Sequence, residues 1–230
     1  MGDAGVGHHD VAFTYRSRKD AADVVILRAK EVAPERKVIA YQLDVRDSDA
    51  VERVGDQVLE DFDRVDVVVA NAGITHVGLA VSTMDADWEE VIQTNLTGAF
   101  YVARQFLPTF LARRHGRLIF ISSVAADGMS GDIAYCASKA GLIGMAKSLA
   151  KEYGPKGITS NALILGLFET DMTANDLSAD RRGFFMQYCP VGRVGQTSEI
   201  AGAVLYLASD AGAFVNGQTL SLTGGLDWFP

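Results

Sequence analysis

What most limits the folds open to this chain is a series of short apolar runs, each ending on small or polar residues and separated by stretches of helical period. The run from Val65 to Ala70 leads into Asn71-Ala72-Gly73, Arg117-Leu118-Ile119-Phe120-Ile121 leads into Ser122-Ser123, and Ile158 to Leu163 leads toward Gly166. Such runs suit strands of a parallel sheet covered on both faces. Val11 to Tyr15, Val38 to Leu43 (ending at Asp44) and Thr219 to Leu222 read as further strands. Helical patterns fill the intervals at about 20–33, from a cap at Asp47 to about Phe62, about 87–113, 133–153 and 198–208. The 87–113 helix is expected to be interrupted near Pro108, and residues 171–189 read as irregular with short helical pieces. This alternation predicts an α/β fold with a doubly wound parallel sheet, in a single domain over residues 1–230.

Composition narrows the functions. A hydrophobic content of 48% with 22% charged residues over 230 positions gives a sizeable core and argues against disorder. A net charge of −8 disfavours nucleic acid and anionic membrane as partners. Two cysteines, Cys136 and Cys189, make no disulfide framework, and no apolar run approaches the ~18 residues of a membrane span. Met1 to Asp10 lacks the apolar region of a signal peptide, so the expectation is a cytoplasmic protein. In that setting the sequon Asn95-Leu96-Thr97 carries no glycan, and His8-His9, without a third ligand, predicts no metal site.

In doubly wound sheets ligands sit beyond the carboxyl ends of the strands. Arg16-Ser17, Asp44, Asn71 to Gly73, Ser122-Ser123 and Gly166 to Thr170 all follow predicted strands and line one crevice in such a fold. Tyr135 and Lys139, four apart, fall on one face of the 133–153 helix. A phenol beside an ammonium is easier to ionise, and a hydroxyl from the 117–121 strand end can hold a substrate oxygen next to it. Together these make a proton-transfer site for carbonyl chemistry. Alone, a Tyr-x-x-x-Lys pair is as well explained by helix packing and a solvated charge; the strand ends around it supply the weight.

With these residues assembled, the sequence resembles the short-chain dehydrogenase/reductases, and within them the 3-oxoacyl-carrier-protein reductases and polyketide ketoreductases, from about Asp10 to the C-terminus. The resemblance implies a Rossmann-like fold in which Asn71, Ala72 and Gly73 lie beneath the adenosine of a dinucleotide. It implies a catalytic tetrad of Asn95, Ser123, Tyr135 and Lys139. Tyr135 would give a proton to the carbonyl oxygen, Ser123 would hydrogen-bond that oxygen, and Lys139 would hold the nicotinamide ribose and depress the Tyr135 pKa. Asn95 would hold a water linking Lys139 to solvent. Gly166, Phe168 and Thr170 would border the nicotinamide, with Tyr135 and Lys139 also touching the cofactor. Arg16, with Ser17, stands where such folds meet the adenine ribose; a guanidinium there favours a 2′-phosphate, hence NADPH, and Asp44-Val45 would meet the adenine edge. The pattern from Gly192-Arg193-Val194-Gly195 to Thr223-Gly224-Gly225 belongs to the same likeness, whose members form tetramers or dimers. The expected partner is a small-molecule or carrier-bound carbonyl. Met172, Phe184, Phe185 and Met186 would form either a lid over it or subunit packing.

Two departures bear on function. Leu165 stands where the family usually has proline, which frees the backbone before Gly166. More consequential, the family opens with a strand, a glycine-rich loop and a helix that cradle the pyrophosphate, whereas here the chain begins almost at the second strand. Gly2, Gly5 and Gly7 have neither the strand before nor the helix after that a dinucleotide loop needs. The family's first strand lies between those at 11–15 and 65–70. Its loss leaves these two to pair directly, to borrow a strand or to stay apart, unless the sequence lacks its true beginning. The function expected is an NADPH-dependent ketoreductase. The alternatives are a regulatory or partner-dependent member that binds no cofactor alone, and a non-redox acid catalyst such as a dehydratase or cyclase.

Overall fold

The computed structural model describes residues 9–170, 173 and 179–226. The glycines at 2, 5 and 7, His8, Met172 and the Phe184 side chain lie outside the described residues.

Every strand pairing is parallel. β1 (Val11–Tyr15) pairs with β2 (Val38–Gln42) in the register Val11 to Val38. A second ladder runs β3 (Val67–Ala70), β4 (Gly116–Ser123), β5 (Ile158–Leu165), β6 (Thr219–Leu222). Its registers align Val67 with Arg117, Gly116 with Ile158 and Ala162 with Thr219. Among the described residues the expected parallel sheet is divided into two ladders, of two and four strands. Of the outcomes open to the neighbours of the family's first strand, staying apart is the one seen. Among the described residues neither β1 nor β3 is paired along its other edge.

Side-chain alternation along β4 explains how the helices cover the sheet. Leu118 and Phe120 face one way, into a core with Val68 of β3 and Ile158 and Ala162 of β5. Phe106, Leu107 and Phe110 of α4 (Gly98–Arg113) and Leu142 and Ala146 of α5 (Ile133–Tyr153) close that side. Ile119 and Ile121 face the other way, against Leu163 and Leu207, the latter on α7 (Thr197–Ala208). Tyr41 of β2 and Val58 of α2 (Ser48–Phe62) enter the first core, so the two ladders are joined by packing where they are not joined by hydrogen bonds. Asp47 caps α2 as its sequence predicts, its carboxylate accepting from the N–H groups of Asp49 and Ala50, each at 3.0 Å. α1 (Lys19–Val32) crosses between β1 and β2, and α6 (Ala179–Gln187) supplies a regular helix inside the stretch expected to be largely irregular.

The interruption expected at Pro108 falls elsewhere. α3 (Asp85–Ile92) runs into a wide π turn at Gln93–Thr97 and continues as α4, which carries Pro108 in its interior. A proline forfeits one N–H bond and crowds one carbonyl, and burial of Leu107 and Phe110 on either side of that turn offsets the loss. The wide turn centres on Asn95, whose side chain is committed to another segment. Such bulges commonly mark functional positions. Among the described residues no helix is long and apolar enough to cross a membrane, and no group of three potential metal ligands occurs.

Candidate active site

Two serines end β4, and they do different work. Ser122 is buried, and its hydroxyl donates to the Lys139 carbonyl at 2.9 Å, clamping the strand end to α5. Ser123 is half-buried; its Oγ accepts from the Ala125 N–H at 3.2 Å, and its side chain stands near enough to the Tyr135 hydroxyl to favour its ionised form. The helical spacing of Tyr135 and Lys139 brings both to this strand end, as expected. Lys139 is 4% exposed, and its Nζ donates to the Ile121 carbonyl at 2.8 Å while lying 5.4 Å from the Tyr135 ring centre. Burial lowers its pKa to about 8.

The expectation that Lys139 depresses the Tyr135 pKa is not met. Burial pushes the phenol upward, the neighbouring Ser123 side chain pulls the other way, and the nearby Asp132 charge raises it further. The reason is geometric: the ammonium is turned to a main-chain carbonyl of β4, so the phenol feels a dry surrounding more than a cation. At neutral pH Tyr135 therefore holds its proton.

Asn95 ties the site together from below. Its Oδ1 accepts from the Ile74 N–H at 2.8 Å, and its Nδ2 donates to the Ile74 carbonyl at 2.9 Å and to Ser138 Oγ at 3.0 Å. Ser138 Oγ in turn donates to the Tyr135 carbonyl at 2.7 Å. The wide turn thus fixes both the loop after β3 and the first turn of α5. Gly73 sits in the angle between them: a Cβ there would meet Asn95 Oδ1 and Lys139 Nζ, each at 3.4 Å. Asn71 and Ala72 are exposed beside it. The loop is also held by Asp132, buried just before α5, whose carboxylate accepts from the Thr75 hydroxyl at 3.0 Å.

On the far side, the ends of β1 and β2 gather charge. Arg46 donates to both oxygens of Asp44 (Nε at 2.9 Å and Nη2 at 2.6 Å) and, through Nη1, to Glu90 of α3 at 3.0 Å. Arg16 Nη1 lies 3.7 Å from the same Glu90 oxygen, and His76 Nε2 lies 2.9 Å from the other. Arg46 holds the Asp44 carboxyl below its ordinary range, as His76 does for Glu90. Ser17 is exposed, its carbonyl accepting from the Lys19 N–H. Val45 is buried with Leu43 and Val51. On the opposite flank Gly166 donates to the Leu222 carbonyl at 2.9 Å. The Phe168 ring packs where a Cβ on Gly195 would fall, so Phe168 offers the crevice main chain rather than ring. Thr170 is hydrogen-bonded to Thr173. Phe185 is buried with Leu226, against Val124, Met129 and Leu167, which seats α6 over the loops that follow β4 and β5.

Asn95, Ser123, Tyr135, Lys139 and Gly73 are thus brought together, while Arg16 and Asp44 belong to a separate charged cluster, and Val45, expected at the adenine edge, instead turns its side chain into the core with Leu43 and Val51. Sequence reasoning missed Arg46, Glu90, His76, Thr75 and Asp132. Only Arg46, two residues after a named acid, carried a local signal.

The chemistry of these groups suits the two ends of a nicotinamide dinucleotide. Lys139 and Tyr135 suit the nicotinamide ribose, beside a glycine whose missing Cβ leaves an approach open, and Arg16 and Arg46 suit the adenosine side. No glycine-rich loop for the pyrophosphate stands between them among the described residues.

Residues 7–227 match a family model described as enoyl-(acyl carrier protein) reductase. The chain is 42% identical over 185 residues to the 3-oxoacyl-[acyl-carrier-protein] reductase FabG of Escherichia coli K12, covering 80% of this chain and 75% of that protein. It is 39% identical over 221 residues to the 3-oxoacyl-[acyl-carrier-protein] reductase of Synechocystis, covering 95% and 87%. With nodulation protein G of Rhizobium sp. N33 it shares 41% over 191 residues, covering 83% and 78%. With this fold and relatives of this kind, the chain belongs to the short-chain dehydrogenase/reductases, oxidoreductases that interconvert carbonyl and alcohol.

Proposed function

We propose that this protein is an NADPH-dependent ketoreductase acting on a β-ketoacyl or polyketide-like carbonyl presented on a carrier. The observation that carries this is the gathering of Ser123, Tyr135, buried Lys139 and buried Asn95 at the end of β4, with the Lys139 Nζ 5.4 Å from the Tyr135 ring centre. Two of the relatives reported above, those of Escherichia coli and Synechocystis, are by their names 3-oxoacyl-[acyl-carrier-protein] reductases.

The nicotinamide, when bound, supplies the hydride that reaches the carbonyl carbon. The chain's own residues handle the oxygen. In this reading the Ser123 and Tyr135 hydroxyls both hydrogen-bond the substrate's carbonyl oxygen, and Tyr135 transfers its proton as negative charge develops there. A phenol kept protonated by burial is in the right state for reduction. Lys139, with its pKa near 8, is able to exchange a proton near neutrality and so to help return one to the site after the transfer. Asn95 keeps the loop carrying Gly73 and the helix carrying Tyr135 in register. Arg16 and Arg46 supply the guanidinium groups for a 2′-phosphate. The protein acts in the cytoplasm as a homo-oligomer; exposed Phe214 and Phe100 provide apolar surface for subunit contact.

The test is oxidation of NADPH driven by a β-ketoacyl thioester. Wild type turns over, and Tyr135→Phe loses at least about a hundredfold in rate while keeping its circular dichroism. Full activity in that variant refutes the assignment. A second reading is favoured by the divided sheet and the lack of a glycine-rich cradle among the described residues: a redox site completed by another polypeptide, or non-redox acid catalysis by Tyr135. Turnover without nicotinamide distinguishes the latter.

A further inference from the structure

We infer that Glu90 is the internal counter-ion of the Arg16–Arg46 pair, a group that a 2′-phosphate must displace, and that it thereby sets the nucleotide preference of this protein. The inference rests on the dinucleotide reading above. Its support is the way charges are paired at the ends of β1 and β2. Asp44 occupies Nε and Nη2 of Arg46, which leaves Nη1 for Glu90 at 3.0 Å. Arg16, the other guanidinium, points Nη1 to the same Glu90 oxygen at 3.7 Å. Two guanidinium groups thus face two carboxylates, and the cluster holds no uncompensated positive charge for a phosphate dianion.

The two carboxylates are not equivalent. Asp44 binds Arg46 through two parallel contacts within its own loop, the geometry that planar guanidinium groups favour. Glu90 reaches from α3, on the other ladder's side of the molecule, and touches both guanidinium groups through one oxygen. Its second oxygen lies 2.9 Å from His76 Nε2, which fixes its side chain in place. A phosphate arriving at Arg16 takes the position of that shared oxygen. Side chains here are 34% to 51% exposed, so the competition is fought in a watery medium, and its size is a modest factor rather than an all-or-none block.

Glu90→Gln keeps size and hydrogen bonding and removes one negative charge. The experiment is calorimetric titration of wild type and Glu90→Gln with 2′,5′-ADP and with 5′-AMP, at two salt concentrations. The expected result is about threefold to tenfold tighter 2′,5′-ADP binding in the variant with 5′-AMP changed less than about twofold, the difference shrinking at high salt. Arg16→Ala, in turn, reduces the preference for 2′,5′-ADP. An unchanged ratio between the two nucleotides overturns the proposal. So does equal tightening of both, or failure of both proteins to bind 2′,5′-ADP. Failure of the ketoreductase reading is seen separately, in thioester-driven oxidation of NADPH or NADH and its loss in Tyr135→Phe. An active enzyme with an unchanged nucleotide ratio sinks only the role of Glu90.

Discussion

Asn95→Ala is the sharpest test of how this site is built. The substitution removes three hydrogen bonds, at 2.8, 2.9 and 3.0 Å, from a side chain that is 1% exposed. Each such bond contributes about 1 kcal/mol net, and a buried partner left unpaired costs about 1–3 kcal/mol. Ile74 is half-buried, so water can reach its amide and carbonyl in part, whereas Ser138 is fully buried and retains its bond to the Tyr135 carbonyl. Adding a small cavity brings the expected loss to about 3–5 kcal/mol. For a domain of this size that corresponds to a fall in Tm of about 6–20 °C. Chemical denaturation with urea gives the free energy, and the m-value checks that the transition remains two-state. Because the same bonds hold the loop carrying Gly73 against α5, the turnover of the folded variant drops as well. A destabilisation below about 1 kcal/mol refutes the idea that Asn95 fastens these two segments.

Lys139→Met stabilises the fold at pH 7. The folded-state pKa of about 8 lies below that of a free lysine, so charging Lys139 opposes folding fully below pH 8, and wild type regains the difference as pH rises toward about 10.5; urea midpoints at pH 7 and 10 check this. Asp132→Asn removes a charge that raises the Tyr135 pKa, so the alkaline limb of the turnover profile moves to lower pH; an unmoved limb refutes the electrostatic link. Gly157→Ala costs more than about 3 kcal/mol, because φ is +81° and the new Cβ would lie 2.2 Å from the Arg114 carbonyl oxygen, a main-chain atom with little room to retreat.

The parts of the site that sequence revealed are those written in local spacing. Tyr135 and Lys139 are four apart on one helix, and Ser123 ends an apolar strand, so their meeting follows once the strand order is granted. Asn71 to Gly73 followed from the same rule. The bulk of the fold was legible for a similar reason: strands such as β4, buried on both faces, show as unbroken apolar runs. What escaped depends on groups distant in the chain. Glu90 meets Arg46 across 44 positions and Asp132 meets Thr75 across 57, and no periodicity announces either contact. Pro108 was expected to break its helix because proline is costly in isolation; the packing of its neighbours overrides that cost. The direction in which Lys139 points, and so the upward displacement of the Tyr135 pKa, depends on the Ile121 carbonyl lying within reach. A helical wheel carries no information about that.

The separation of β1–β2 from the four-stranded ladder has a thermodynamic consequence. Residues 9–62 form a contiguous stretch joined to the rest by no strand ladder among the described residues, but by side-chain packing, such as Tyr41 and Val58 in the shared core, by side-chain hydrogen bonds of Arg104 and Gln105 to α2, and by the Glu90 ion pairs. A stretch joined this way is able to open as a unit at less than the global unfolding cost, and its amides exchange with solvent sooner than those of β4 and β5. A nucleotide touching both Arg16 and Lys139 would span the division and lend its own binding energy to keeping it shut. At a hundredfold excess over Kd that amounts to about 2.7 kcal/mol, or roughly a hundredfold slower exchange of the β1 amides. Occupancy of the crevice and cohesion of the two ladders would then be one equilibrium, with ligand binding read out as slower opening of the β1–β2 unit.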